Sequence, residues 1–206
     1  MDVLILPLSN PVYGPTPVPS YRRMMVFIDG ENLVFNYLSL LKNGKVPNDP
    51  VQHEKDVFVW HINSVVNPQF HEIIRANYYT YITGSDETII DQIKKLAYAR
   101  PPRSKLPHNL YPVVFKKPKK RAQSKGVDIQ MTVDILSQVY NNNIDTVYLF
   151  AGDGDYLPVI NEAIRMGKQV YLAAFSHGLN KKLVNKVDQF HLLDDIYFEQ
   201  IAESSE

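Results

Sequence analysis

The chain has 206 residues, 45% of them hydrophobic and 21% charged, an ordinary globular composition with enough length for a full core. Lysine plus arginine and aspartate plus glutamate balance at 22 each, so there is no global basic field for nucleic acid, and the lack of cysteine excludes disulfides, thiolate metal centres and thiol nucleophiles. No apolar run approaches the roughly 20 residues of a membrane helix, and the run Val3, Leu4, Ile5 and Leu6 is too short for a secretory core, so a cytoplasmic protein with no membrane partner is expected.

Residues 1–20 carry Pro7, Pro11, Pro15, Pro17 and Pro19. Proline removes backbone donors and restricts its predecessor, so this segment reads as an extended leader and a candidate contact for a homodimer. Met24, Met25, Val26, Phe27 and Ile28 form a continuous apolar run that suits a strand buried on both faces. It ends at Asp29, Gly30, Glu31 and Asn32. Leu33, Phe35, Tyr37, Leu38 and Leu41 then predict a helix that stops near Asn43 and Gly44. Residues 45–70 are less regular, with one candidate helix over 58–66. Residues 73–83, rich in Tyr, Ile and Thr, predict a strand, and Ser85 caps a helix to about residue 99. A proline-interrupted loop over 100–112, a short strand over 111–115 and a basic loop over 116–125 follow. Residues 127–140 predict a helix with Ile129, Val133, Leu136 and Tyr140 on its apolar stripe. A strand over 146–150, a tight turn over 151–155 and a helix over 156–166, stopped by Gly167, come next. The last elements are a strand over 169–175, a helix over 180–190 and a strand over 192–198, before a tail at 201–206.

Strands and helices alternate, which is the pattern of an α/β fold with a mainly parallel central sheet. One domain over 21–200 accounts for it. Ligands of such sheets bind beyond the carboxyl ends of the strands, so acidic turns directly after strands carry the functional expectation. Asp29 follows the first strand, Asp153 and Asp155 follow the strand over 146–150, and Asp128 opens a helix. Taken singly, each is a helix cap. Taken together, they fall on one sheet edge, where converging carboxylates repel unless protonated or bridged by a cation. Oxygen donors without cysteine point to Mg2+ or Mn2+.

Four pieces of sequence carry a resemblance: Phe27 to Leu33 through Asp29, Glu31 and Asn32; Lys125, Gly126, Val127 and Asp128, with Asp134 after them; Gly152, Asp153, Gly154, Asp155 and Tyr156; and Ser176, Leu179, Leu183, Asp188 and Phe190. In this order they resemble the NYN domain family, in particular its LabA-like branch, within the PIN-like nuclease superfamily. The resemblance implies a three-layer α/β/α fold and a metal-dependent endoribonuclease. Asp29, Asp128 and Asp153 would be catalytic and hold the metal, with Asp155 alongside and Asn32 on a metal-linked water or a phosphate oxygen. Asp134 lies six residues beyond Asp128, about 240° around a helix, so it supports the site from behind or is structural.

Lys116, Lys117, Lys119, Lys120, Arg121 and Lys125 lead directly into the Asp128 motif and are expected to contact RNA phosphates, single-stranded or structured, in a salt-sensitive way. Tyr156 is expected to stack on a base, whereas the alternating Tyr78, Tyr79 and Tyr81 suit sheet packing. The histidines form no close metal-binding pair, and His177, which follows a strand, reads as a surface-loop residue, with a place at the site edge as the alternative. A different class of function, a nucleic-acid-binding regulatory module with weak or no catalysis, stays open. A phosphatase built on Asp153 and Asp155 ranks behind both, because such enzymes place that pair after the first strand.

Overall fold

The computed structural model describes residues 21–66, 70–98, 110–116 and 126–200. The proline-rich leader, the basic residues Lys117, Lys119, Lys120, Arg121 and Lys125, and the C-terminal tail lie outside the described residues. In chain order the elements are β1 (Arg22–Asp29), α1 (Gly30–Lys42), β2 (Gln52–Glu54), β3 (Phe58–Trp60), β4 (His71–Ile82), α2 (Asp86–Ala97), β5 (Tyr111–Lys116), α3 (Gly126–Tyr140), β6 (Thr146–Phe150), a single 3-10 turn (Gly154–Tyr156), α4 (Leu157–Arg165), β7 (Gln169–Ala174), α5 (Lys181–Val184), β8 (Gln189–Leu192) and α6 (Asp194–Tyr197). Six strands make one sheet in the order β5-β4-β1-β6-β7-β8, every pair parallel.

The period of two along each strand builds two cores. In β1, Met24, Val26 and Ile28 face a layer that includes Leu33, Val34, Tyr37 and Leu40 of α1 and Tyr197 of α6. Met25 and Phe27 face the opposite layer, made by Val127, Met131, Ile135 and Val139 of α3 and by Val159, Ile160 and Ala163 of α4. This is a three-layer α/β/α arrangement around a parallel sheet. The chain leaves β1 for β4 on one side and later returns to place β6 on its other side. The winding therefore reverses at β1 and β6, and the crevice beyond their carboxyl ends is the place where such sheets bind ligands.

Local polar ties hold the layers in register. The Tyr79 hydroxyl donates to Asp134 on α3 at 2.7 Å, and the Tyr81 hydroxyl accepts from the Val127 N–H at 3.1 Å. Two β4 tyrosines thus fix the first turn and the middle of α3. On the other sheet face, Tyr78 binds both backbone groups of Val59 in β3. The expectation that these three tyrosines serve packing is met: all are buried.

Four elements differ from the sequence expectations. The candidate helix over 58–66 is instead strand β3, paired antiparallel with β2. Phe58, Val59 and Trp60 are all buried, and three consecutive buried side chains do not fit a one-sided surface helix. In α3 the expected apolar stripe is mostly exposed, and only its Leu136 packs partly against the core. Ile129, Val133 and Tyr140 are 60%, 54% and 53% exposed, while Val127, Met131, Ile135 and Val139 meet the sheet. Both stripes have helical spacing, so periodicity does not choose between them. The helix over 180–190 ends after Val184; Asp188 then accepts the Val170 N–H at 2.7 Å, and β8 pairs with β7. The last expected strand, over 192–198, is replaced by α6, where Asp194 is held by the Ser176 N–H and hydroxyl.

Candidate active site

β1 ends at Asp29, and its alternation turns that side chain toward the α3 and α4 layer, on the same face as Met25 and Phe27. The two oxygens of Asp29 divide two tasks. Oδ1 accepts the Asn32 N–H at 2.9 Å and caps α1, while Oδ2 lies 3.0 Å from the Tyr156 hydroxyl. Capping and a site role are thus compatible in one residue. The same hydroxyl lies 3.2 Å from Asp128 Oδ1, in the first turn of α3. Asp29 and Asp128, 99 residues apart in sequence, therefore converge on one phenol oxygen. The amino ends of α1 and α3 also point here, and their dipoles favour negative charge.

Asp29 is 4% exposed. Burial pushes its carboxyl up to about 7, and the charges of Asp128 and Glu31 add to the rise, against the Asn32 and Tyr156 hydrogen bonds that favour ionisation. Asp128 is also raised, first by burial and then by Asp153, Glu31 and Asp155, with the Tyr156 bond opposing. The Tyr156 phenol is raised by burial and by both carboxylates, so it stays protonated. A hydroxyl has one proton to donate. With two carboxylates in reach, one contact needs a proton from the carboxyl side, and Asp29 is the group poised to hold it near neutral pH.

Asp153 and Asp155 sit on the turn after β6. Asp153 Oδ1 accepts the Asp155 N–H at 3.0 Å and caps the 3-10 turn. Both contribute negative charge at Asp128 without joining the bond to Tyr156. Glu31, a member of the first acidic motif with no role expected of it, is the fifth carboxylate of the cluster; its place one residue into α1, after a capping Asp, is the signal that marks it. Among the described residues no three His, Cys, Asp or Glu side chains are arranged to hold an ion by themselves. The structure brings Asp29 and Asp128 together and leaves Asp153 and Asp155 at the mouth. The donor chemistry nonetheless suits a hard divalent cation, since Mg2+ is commonly held by one or two carboxylates with water and substrate phosphate completing its shell.

Asn32 is a structural clasp. Its Oδ1 accepts the Gly152 N–H and the Asn36 amide, each at 3.0 Å, which ties the β1 turn to the β6 turn. Asn36 in turn meets His177 Nδ1 at 3.0 Å. Because the Gly152 N–H can only donate, Asn32 Oδ1 is an acceptor, the Asn36 nitrogen faces it, and the Asn36 oxygen faces His177. His177 Nδ1 therefore carries a proton. The loop bearing His177 passes so close that a Cβ on Gly178 would lie 2.4 Å from Asn36 Oδ1, and its φ of +73° also favours glycine. His177 is half-buried and tied through Asn36 and Asn32 to the acidic site, the site-edge position rather than the surface-loop one.

Asp134 lies behind the site, engaged by Tyr79 and by Gln130. Tyr156 is 2% exposed, so the stacking role expected for it is corrected: its ring fills the core and its hydroxyl serves the carboxylates. Lys116 ends β5 and pairs with Asp86 at 2.6 Å.

With this geometry in view, comparison with known proteins decides the family. Residues 23–194 match the NYN domain. The chain belongs to the NYN domain family. It is thereby a member of the PIN-like nuclease superfamily. A 62-residue stretch is 39% identical to an uncharacterized protein of Methanocaldococcus jannaschii, covering 30% of this chain and 26% of that protein. The match thus spans about a quarter of that relative's length. A crystal structure of a protein of unknown function from Vibrio parahaemolyticus superimposes with a TM-score of 0.60 at 15% identity, over 89% of this chain and all of the other. That likeness concerns the fold alone.

Proposed function

We propose that this NYN domain is a metal-dependent endoribonuclease of the LabA-like branch, acting on single-stranded or structured RNA in the cytoplasm. The observation that carries the reading is the convergence of Asp29 and Asp128 on Tyr156 at the switch point of a parallel sheet. Asp29 and Asp128 would hold Mg2+ or Mn2+, with Asp153 and Asp155 beside them. Such an ion supplies phosphate charge neutralisation and water activation. Tyr156 orients both carboxylates through its hydroxyl, Asn32 keeps the two acidic turns at fixed spacing, and Asp153 or Asp128 would accept the proton of the attacking water. Phosphate contacts come from Lys116 and from the basic segment that follows it.

A second reading, an RNA-binding module without catalysis, draws on one observation: among the described residues two carboxylates, not three, meet at the Tyr156 hydroxyl. Manganese-dependent cleavage of mixed RNA by wild type, Asp29→Asn and Asp128→Asn separates the two. The expected result is a loss of about 10²-fold or more in each variant, with the circular dichroism spectrum retained. Equal rates in all three proteins would remove the pair from catalysis.

A further inference from the structure

A cavity of about 460 Å³ opens beside the acidic cluster, on the other flank of α1. Its walls include Glu31 and Phe35 on α1, Glu54 and Asp56 on the β2–β3 hairpin, Thr83 beyond β4, and Gln92 on α2. Its size is that of a small-ligand pocket. Glu31 belongs both to this wall and to the charges felt by Asp29 and Asp128, so the cavity and the proposed cleavage site are immediate neighbours.

Three features describe what would fit. Phe35 is 65% exposed and forms the crest between the cavity and His177, whose ring centroid is 6.2 Å away. An exposed ring of this kind is a stacking platform for an unpaired base. The wall bears three carboxylates, Glu31, Glu54 and Asp56, against the single cation Lys55, with Lys95 behind it at 3.5 Å from Glu54. That balance repels phosphate and accepts hydrogen bonds. Finally, Gln92 carries a buried amide oxygen with no hydrogen-bond partner among the described residues. Buried acceptors of that sort are ordinarily satisfied, and because Gln92 lines the cavity, a donor seated there is a fitting partner for it.

We propose that this cavity takes the nucleobase next to the cleaved phosphate, and that it selects a base with an exocyclic amino group. The assignment rests on the RNA-cleaving reading above, but its test does not. Neutral adenosine, cytidine and uridine are titrated into the full chain in chelator, and binding is followed by amide chemical shifts in NMR. Adenosine and cytidine should shift resonances around Phe35, Thr83 and Gln92, binding roughly fivefold more tightly than uridine, the worth of about one hydrogen bond. Phe35→Ala, at an exposed position, should weaken adenosine about tenfold. Gln92→Leu should erase the preference over uridine. Equal binding of all three nucleosides, no binding, or shifts unaffected by Phe35→Ala would overturn the assignment. Nucleoside binding with no RNA cleavage would remove the nuclease reading and leave the cavity; cleavage with no nucleoside binding would do the reverse.

Discussion

Tyr156 shows how one side chain can set the behaviour of two others. Its ring is core and its hydroxyl is a shared ligand of Asp29 and Asp128. Tyr156→Phe keeps the ring and removes only that hydroxyl. It should cost about 1–2 kcal/mol in urea denaturation and lower manganese-dependent cleavage more than it lowers stability. Asp29 makes a sharper prediction through pH. Its carboxyl is raised from 3.8 to about 7 in the folded chain. A raised folded value means that the stabilising proton is present below the unfolded value and is lost as pH rises through the folded one. In chelator, the contribution of Asp29 should therefore decline between about pH 4 and pH 7. Asp29→Asn should flatten that decline and leave the metal-free protein more stable at pH 8 by about 1–2 kcal/mol. A wild-type curve that rises over the same interval and matches the variant would contradict the burial argument.

At the scale of elements, the site depends on how α1, α3 and the β6 turn are pinned. A Cβ on Gly30 would meet Tyr78 Cε1 at 2.1 Å and the Tyr79 carbonyl at 2.7 Å. Gly30→Ala should push α1 off β4 and destabilise by about 1–3 kcal/mol or more, measured by chemical denaturation. The two stripes of α3 provide a direct contrast. Met131→Ala, at a fully buried position, should cost about 2–5 kcal/mol, whereas Val133→Lys on the exposed face should stay within about 0.5 kcal/mol. Spacing alone made these stripes equivalent. The sheet distinguishes them, because Tyr79 and Tyr81 anchor the helix with Val127 turned inward.

For the whole molecule, the acidic edge is a store of repulsion that a bound cation would relieve. Five carboxylates, Glu31, Asp29, Asp128, Asp153 and Asp155, act on one crevice. Saturating Mn2+ at about a hundred times its dissociation constant should add about 2.7 kcal/mol of stability. At one fixed Mn2+ concentration the gain should be larger at pH 8 than at pH 5.5, since binding must displace the proton that Asp29 holds. Calorimetric melting with and without Mn2+ checks both statements, and Asp128→Asn should abolish the gain. No described helix is long and apolar enough to cross a membrane.

Apart from β2, β3, β8 and α6, the alternation of strands and helices, the parallel sheet and the acidic residues after β1 and β6 were legible in the sequence. Each is a local pattern: an apolar run, a helical period, an Asp or Gly at a strand exit. What the chain order could not supply was the meeting of distant parts. Nothing near Tyr156 in sequence says that its hydroxyl will stand between Asp29 and Asp128, that Asn32 will clasp Gly152, or that Asn36 will reach His177. Those contacts arise only when β6 is laid against β1, and the side of the sheet on which α3 packs decides which of its two apolar stripes is buried. Local periodicity writes the elements; long-range packing, which no short window of residues contains, decides which side chains become neighbours.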